Sequence, residues 1–494
     1  MKKRIYSILL VTLLFLCACQ PTPEQDAVKQ KETNVLIDTV LSGQLEKTET
    51  GEAPVPVKDQ MPDRFAVDFY TPAQNVHVVV DAPIRVLTDG TFPMVRVERA
   101  KLTTEQRMTL AKRLLHTDKL YVWSYRVTRE DLEREIANLI QEPTSEQKAE
   151  WMREDPENTE ERWNEIMENR KKNLAQLQEQ YRNLTDGKTE PFPEWDGIEP
   201  NDGRPIMIVA DPYAGGSWEL SNNHIDWRSD DADMPIFYRA GCDVDRDGSY
   251  WADVFCQKAN GEAGTERIAP ERYGEVHEGA SISALEAAQV ALSCLEGYGS
   301  FGIADIYWTN NAANGGQDAY IAKTWAYGIR LTPVMHGAGM PYCNVLASEN
   351  DPINDVMRGW EYSHISAVVD GSGKLLAWNW VGVLKETEVY SESAPLLPFA
   401  EIEKLFEQQI NRKLAYEEMR DATLTVDNVQ LGLFRIREQN DMDHGLLVPV
   451  WCFRGTLVPS ANSGWAGLTQ RYDTEPVLII NAIDGSIIDP QKGY

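Results

Sequence analysis

Twice in its C-terminal half the chain runs from an amphipathic helix through three strand-like segments into Asp-Gly-Ser. The first copy opens with SISALEAAQVALSCL (281–295), in which Ser283 and Glu286 have the spacing of a capping box. Its strand-like runs GIADIYW, AYIAKTWAYGIRLTPV and HISAVVDGSGKLLAWNW follow. The second copy opens with LPFAEIEKLFEQQI, where Phe399, Ile402, Leu405, Phe406 and Ile410 share one helical face. It continues through NVQLGLFRIRE, GLLVPVWCFRGT and VLIINAIDGSIID. Leu285 and Asp370 are 85 residues apart, as are Phe399 and Asp484. A helix with one apolar stripe must bury it, and Asp-Gly turns join neighbouring antiparallel strands. The pattern therefore predicts an α+β fold of antiparallel sheets with helices packed on them.

The closing strands add a resemblance. VPVWCFRGT and LIINAIDGSIID resemble the end of PepSY-like domains and of the Yyc-type accessory proteins that regulate a cell-wall sensor kinase. Those families pair a P-x-W strand with an N-A-x-x-G hairpin, matched here by Pro449, Trp451, Asn481, Ala482 and Gly485. The resemblance covers about the last 100 residues, and the preceding copy loosely. It implies tandem PepSY-like units and a noncatalytic module that contacts other proteins outside the cell, with Trp451 in the core and Gly485 in a turn. The chain departs from the Yyc-type pattern in its membrane attachment.

That attachment is written at the N-terminus. Lys2, Lys3 and Arg4 precede an almost wholly apolar run, Ile5 to Leu16. The run falls short of the ~20 residues that span a bilayer and matches an export signal. Leu16-Cys17-Ala18-Cys19 has the form of a bacterial lipobox. The residue before the modified cysteine must be small; Ala18 meets this for Cys19, whereas Leu16 does not for Cys17. Residues 1–18 are thus expected to be removed and Cys19 lipidated, leaving the chain anchored on the outer face of the cell membrane. The CQPTPEQ start also resembles an uncharacterised family of Gram-positive lipoproteins, a domain of unknown function that supplies a setting and no activity.

Composition limits the partners. The formal charge is -29, and loss of residues 1–18, with three basic groups and no acids, takes it near -32. That field repels nucleic acid and anionic headgroups. With 42% hydrophobic residues and 14 tryptophans, the 494-residue chain is a folded protein of several domains rather than a disordered one.

The expected organisation is sequential. A Pro/Thr/Glu/Lys-rich tether covers residues 19–60, with one candidate short helix around NVLIDTVL, and a mixed N-terminal domain covers 61–275. A helical arm is inserted at about 103–185, starting at a Thr103/Gln106 capping box. Its apolar positions, which include Leu132, Ile136, Leu139, Trp163, Met167, Leu174, Leu177 and Tyr181, predict an amphipathic arm packed on its own domain, with a projecting helical hairpin as the alternative. Two PepSY-like units follow at 276–390 and 391–494.

GCDVDRDGSYWAD is the most chemically suggestive stretch. Asp243, Asp245 and Asp247 before Gly248 match the opening of a calcium loop, but its twelfth position is Val254 where a bidentate Glu belongs. The flanks read as strands, so an acidic hairpin is the competing reading, with calcium the only candidate cofactor. Cys242 and Cys256 flank this hairpin and are candidates for a disulfide across it; buried free thiols are the alternative, and no CxxC is present. No HExxH or GxSxG occurs, and GSGK at 371–374 lacks the first glycine of a P-loop and reads as a turn.

The reading that follows is a lipid-anchored extracytoplasmic protein with an interaction or regulatory role, no catalytic residues, and a membrane or cell-wall protein as partner. The alternative is a surface binder of glycan or peptide using exposed indoles among Trp218, Trp227, Trp308, Trp360, Trp378 and Trp380. A hydrolase would require convergent carboxylates of raised pKa in a cleft.

Overall fold

The computed structural model describes residues 33–50, 55–73, 75–123, 129–154, 158–183, 192–196, 206–211, 223–227, 236–240, 265–310, 325–351, 356–415, 421–438, 441, 443–460, 470–471 and 475–494. Along the chain, helix α1 (Thr33–Thr50) precedes strands β1 (Arg64–Tyr70), β2 (His77–Val86) and β3 (Met94–Arg99). Helix α2 (Thr104–Leu114), strand β4 (Tyr121–Trp123) and three arm helices, α3 (Arg129–Ile140), α4 (Ser145–Glu154) and α5 (Glu160–Asn183), come next. Then follow β5 (Ile206–Val209), β6 (Asn223–Trp227), β7 (Ile236–Ala240) and β8 (Thr265–Ile268). The first repeat holds α6 (Ala284–Ser293), β9 (Ser300–Asn310), β10 (Trp325–Met335), β11 (Ala338–Gly339), β12 (Leu346–Asp351), β13 (Val356–Glu361), β14 (His364–Asp370) and β15 (Leu375–Val381). The chain ends with β16 (Leu384–Ser391), α7 (Phe399–Ala415), β17 (Ala422–Arg437), β18 (His444–Pro459), β19 (Gln470–Arg471) and β20 (Leu478–Asn481).

Two large sheets organise these elements. One has the order β1-β2-β17-β18-β3-β16, with β19 and β20 also paired to β18. Its spine is the long β17/β18 pair, which runs from Ala422↔Pro459 to Arg437↔Gly445 with a one-residue register shift between Val426 and Asn428, and β2 runs parallel to β17. The other has the order β4-β5-β6-β7-β15-β14-β10-β9-β8, with β11 beside β10 and its pairs antiparallel; β12 and β13 form a separate hairpin. The α+β class expected from the periodicities is the class observed.

The duplication has a structural counterpart. α6-β9-β10-β14 and α7-β17-β18-β20 have the same order, one set in each sheet, with the three strands side by side. Asp370 Oδ1 accepts from Ser372 N (2.8 Å) and Oγ (2.7 Å); Asp484 Oδ1 accepts from Ser486 N (2.9 Å) and Oγ (2.6 Å). Both Asp-Gly-Ser segments are therefore the same side-chain-closed turn. β11–β13 are an insertion within the first copy. In each sheet the helix covers one face. Ile402, Phe406, Ile410 and Leu414 of α7 pack on Val429, Leu431, Trp451 and Phe453. Ala284, Ala287, Ala288 and Ala291 of α6, with Leu110 and Leu114 of α2, pack on Ile306, Tyr327, Ile329 and Trp378. The opposite faces meet around Asp305, Arg85 and Arg454, while α1 with Ala347 and Tyr362 covers another part of that face of the second repeat's sheet.

Three expectations are corrected. The N-terminal domain at 61–275 is not a separate body: β1–β3 complete the sheet of the second repeat, and β4–β8 extend that of the first. Pairing partners are chosen by exposed strand edges far apart in sequence, which local composition does not encode. The tether is shorter than residues 19–60, since α1 occupies Thr33–Thr50 and buries Leu36 and Val40 among Met94, Val448 and Ile479. The arm proper is 129–183; α2 carries the predicted Thr103/Gln106 capping box but belongs to the core.

Candidate functional site

The seam between the two sheets is polar where a sandwich interior is ordinarily apolar. Strand alternation puts it there. On β9, Ile306 and Trp308 face the helices, so Asp305 and Tyr307 face the other sheet. On β10 the same rule turns Arg330 and Thr332 inward, and on β14 it turns His364. Across the seam, Val429 and Leu431 of β17 face α7, leaving Asn428 and Gln430 inward, and Trp451 and Phe453 of β18 leave Cys452 and Arg454 inward. Register then aligns these rows: Gln430 stands opposite Cys452 on one side and Arg85 on the other, and Asn428 opposite Arg454.

Asp305 is the centre of the cluster and is 1% exposed. Its Oδ1 lies 2.7 Å from Arg267 Nη2 and 3.9 Å from Arg85 Nη1, and its Oδ2 lies 3.2 Å from Arg454 Nη1. Burial alone raises a carboxyl pKa; the guanidiniums of Arg267, Arg454, Arg85 and Arg330 overcome it and hold Asp305 down at about 2. Arg454 also donates to the Tyr342 carbonyl, and Arg330 donates to Tyr307 Oη (2.8 Å) while lying between the Tyr307 and Tyr342 rings. His364 packs against Tyr342, and its Nδ1–H donates to the Tyr362 carbonyl (2.9 Å); burial lowers its pKa to about 4. Burial likewise raises the Cys343 and Cys452 thiols. Such a set holds the sheets in register. A carboxylate kept ionised by arginines is a poor general acid, and a neutral buried histidine with its ring nitrogen committed to a carbonyl is a poor shuttle.

Sequence reasoning missed this cluster. The available signal was a lone charge between apolar neighbours inside a strand: Asp305 in GIADIYW, Arg330 in AYGIRLTP and Arg454 in VWCFRGT. A strand that is apolar on both faces must pair any charge it carries.

Elsewhere, a cleft of about 500 Å³ lies between the ends of α2 and α6, lined by Lys112, Arg113, His116, Ser293 and Cys294 among others. Arg113 donates to the Cys294 carbonyl there, which caps α6. The arm is the other distinctive surface. Tyr181 Oη donates to Glu133 (2.5 Å), Arg170 donates to the Asn138 and Gln141 carbonyls, and Trp151 packs on Trp163. None of the 24 residues of α5 is buried.

The predicted positions divide as follows. Cys19, Asp243, Asp245, Asp247, Cys242 and Cys256 lie outside the described residues. Among the described residues no group of three or more His, Cys, Asp or Glu is placed to hold a metal, and no helix is long and apolar enough to cross a membrane. Cys294, Cys343 and Cys452 are buried free thiols. Trp308, Trp360, Trp378 and Trp380 are buried, at 5%, 0%, 0% and 3% exposure, so these four offer no stacking platform. The side chains of Trp218 and Trp227 fall outside the description. Trp451 is core, and Gly485 occupies a turn at φ 72°.

No protein-family model matches the chain, and no curated protein matches it. Among solved structures, an uncharacterized protein from Eubacterium rectale ATCC 33656 is similar over 93% of this chain and 99% of its own, with 10% identity and a TM-score of 0.42. It brings no activity with it.

Proposed function

We propose that the chain is a noncatalytic interaction or regulatory protein, lipid-anchored through Cys19 on the outer face of a Gram-positive cell membrane, with two PepSY-like units as its scaffold. The observation that carries this reading is the arm. A 24-residue helix that buries none of its residues contributes nothing to the sheet cores, so it is surface presented to something else. The interior carboxylate supports the same reading, because Asp305 is committed to arginines and is held ionised by them. The buried tryptophans weigh against the glycan-binding alternative. Chemical crosslinking on cells that carry a tagged, Cys19-anchored chain, followed by pull-down, tests the proposal. One stoichiometric membrane or cell-wall protein is expected. Recovery of no protein, together with retention of the chain on a glycan array, overturns it, as does mass spectrometry showing an unacylated N-terminus.

A further inference from the structure

We propose that the seam between the sheets is a binding site for a small hydroxylated oxoanion, of the size of hydrogencarbonate or inorganic phosphate, held by Arg454, Gln430 and Asn428 beside Asp305.

Gln430 is 1% exposed, and neither end of its amide has a hydrogen-bond partner. The same holds for Arg454 Nε, on a residue 2% exposed, and for Asn428 Oδ1, on a residue 4% exposed. An unmet buried polar atom forfeits its hydration without compensation, so several at one spot signal an occupant. They are at one spot: Asn428 pairs with Arg454 across the β17/β18 ladder, and Gln430 is the next residue of β17 on the same face. Arg85 and Arg454, on the strands flanking β17, both reach over it to Asp305, which places the carboxylate above these two amides.

Charge and hydrogen-bond type choose the occupant. Three guanidiniums, of Arg85, Arg267 and Arg454, share the Asp305 carboxylate; among the described residues only Arg267 has a second one, exposed Asp427 at 3.8 Å. The excess is positive, which favours an anion. The unmet atoms include donors, the Arg454 Nε–H and the Gln430 amide N–H, and acceptors, Gln430 Oε1 and Asn428 Oδ1. Chloride or sulfate meets the donors and faces the acceptors with repulsion. An oxoanion that keeps a hydroxyl meets both. Direct contacts of 3.2 and 3.9 Å across the seam leave room only for a small one.

The test is thermal melting and calorimetric titration of the full-length protein in detergent, at pH 7.5 and constant ionic strength, with phosphate, bicarbonate, sulfate and chloride. Saturable stabilisation by phosphate or bicarbonate is expected, at least tenfold tighter than by sulfate or chloride. Gln430→Leu, which replaces the amide with an apolar group of similar size, folds and binds at least tenfold more weakly; Asn428→Ala narrows the preference over sulfate. Equal responses to all four salts, no saturable response, or a folded Gln430→Leu protein that titrates like the parent overturns the proposal and leaves water as the occupant.

Discussion

At the scale of residues, the molecule is held together by a few charges in unusual places. Replacing Asp305 with Ala leaves Arg454 buried beside no carboxylate, and a loss of about 3–5 kcal/mol in unfolding free energy is expected from urea titration. The Asp305 pKa of about 2 is depressed from its unfolded value near 3.9. Its contribution is therefore complete above about pH 4 and is lost as pH falls toward 2. His364 titrates in a higher window. It is held near 4 against an ordinary value near 6.5, so the unfolded chain binds the proton first and stability declines as pH falls from about 6.5 to 4. Urea midpoints at pH 7, 6 and 5 should fall in the parent and flatten in His364→Gln; parallel slopes would remove this assignment. None of these residues was legible in the sequence as a site. Each stands in a different strand, and only strand pairing and the meeting of the two sheets bring Asp305 to Arg454, 149 residues away in sequence.

At the scale of elements, far more was legible, because the signals are local. The capping boxes at Thr103/Gln106 and Ser283/Glu286 both form, with hydrogen bonds in each direction. The Asp-Gly-Ser segments are turns, and the GSGK segment joins β14 to β15. Gly485 is required where it stands, at φ 72° with a Cβ position 2.7 Å from Leu405 Cδ1 of α7. Gly485→Ala should cost about 1–2 kcal/mol from the backbone conformation, plus the shift of Leu405. Gly90→Ala, whose Cβ meets its nearest atom at 3.9 Å, is the control and should melt within about 1 °C of the parent.

At the scale of the whole molecule, the order of the chain and the order in space differ. The first strands close the last sheet, so the repeats are not beads on a string. Removing β1–β3 should unfold the second repeat rather than release a free domain. The tether was misjudged for a related reason: the helix read at NVLIDTVL forms but runs from Thr33 to Thr50, and its docking of Leu36 and Val40 on the sheet of the second repeat has no local signal. The α3–α5 arm, which the sequence led one to expect packed on its own domain, is set apart from the core by the structure, with no buried residue in α5. The central claim is that this arm serves a partner and not the fold. The most direct measurement replaces residues 129–183 with a short Gly/Ser linker and compares melting and partner recovery with the parent. The account predicts a melting temperature within about 2 °C and loss of the crosslinked partner. A large fall in melting temperature, or undiminished recovery, would contradict it.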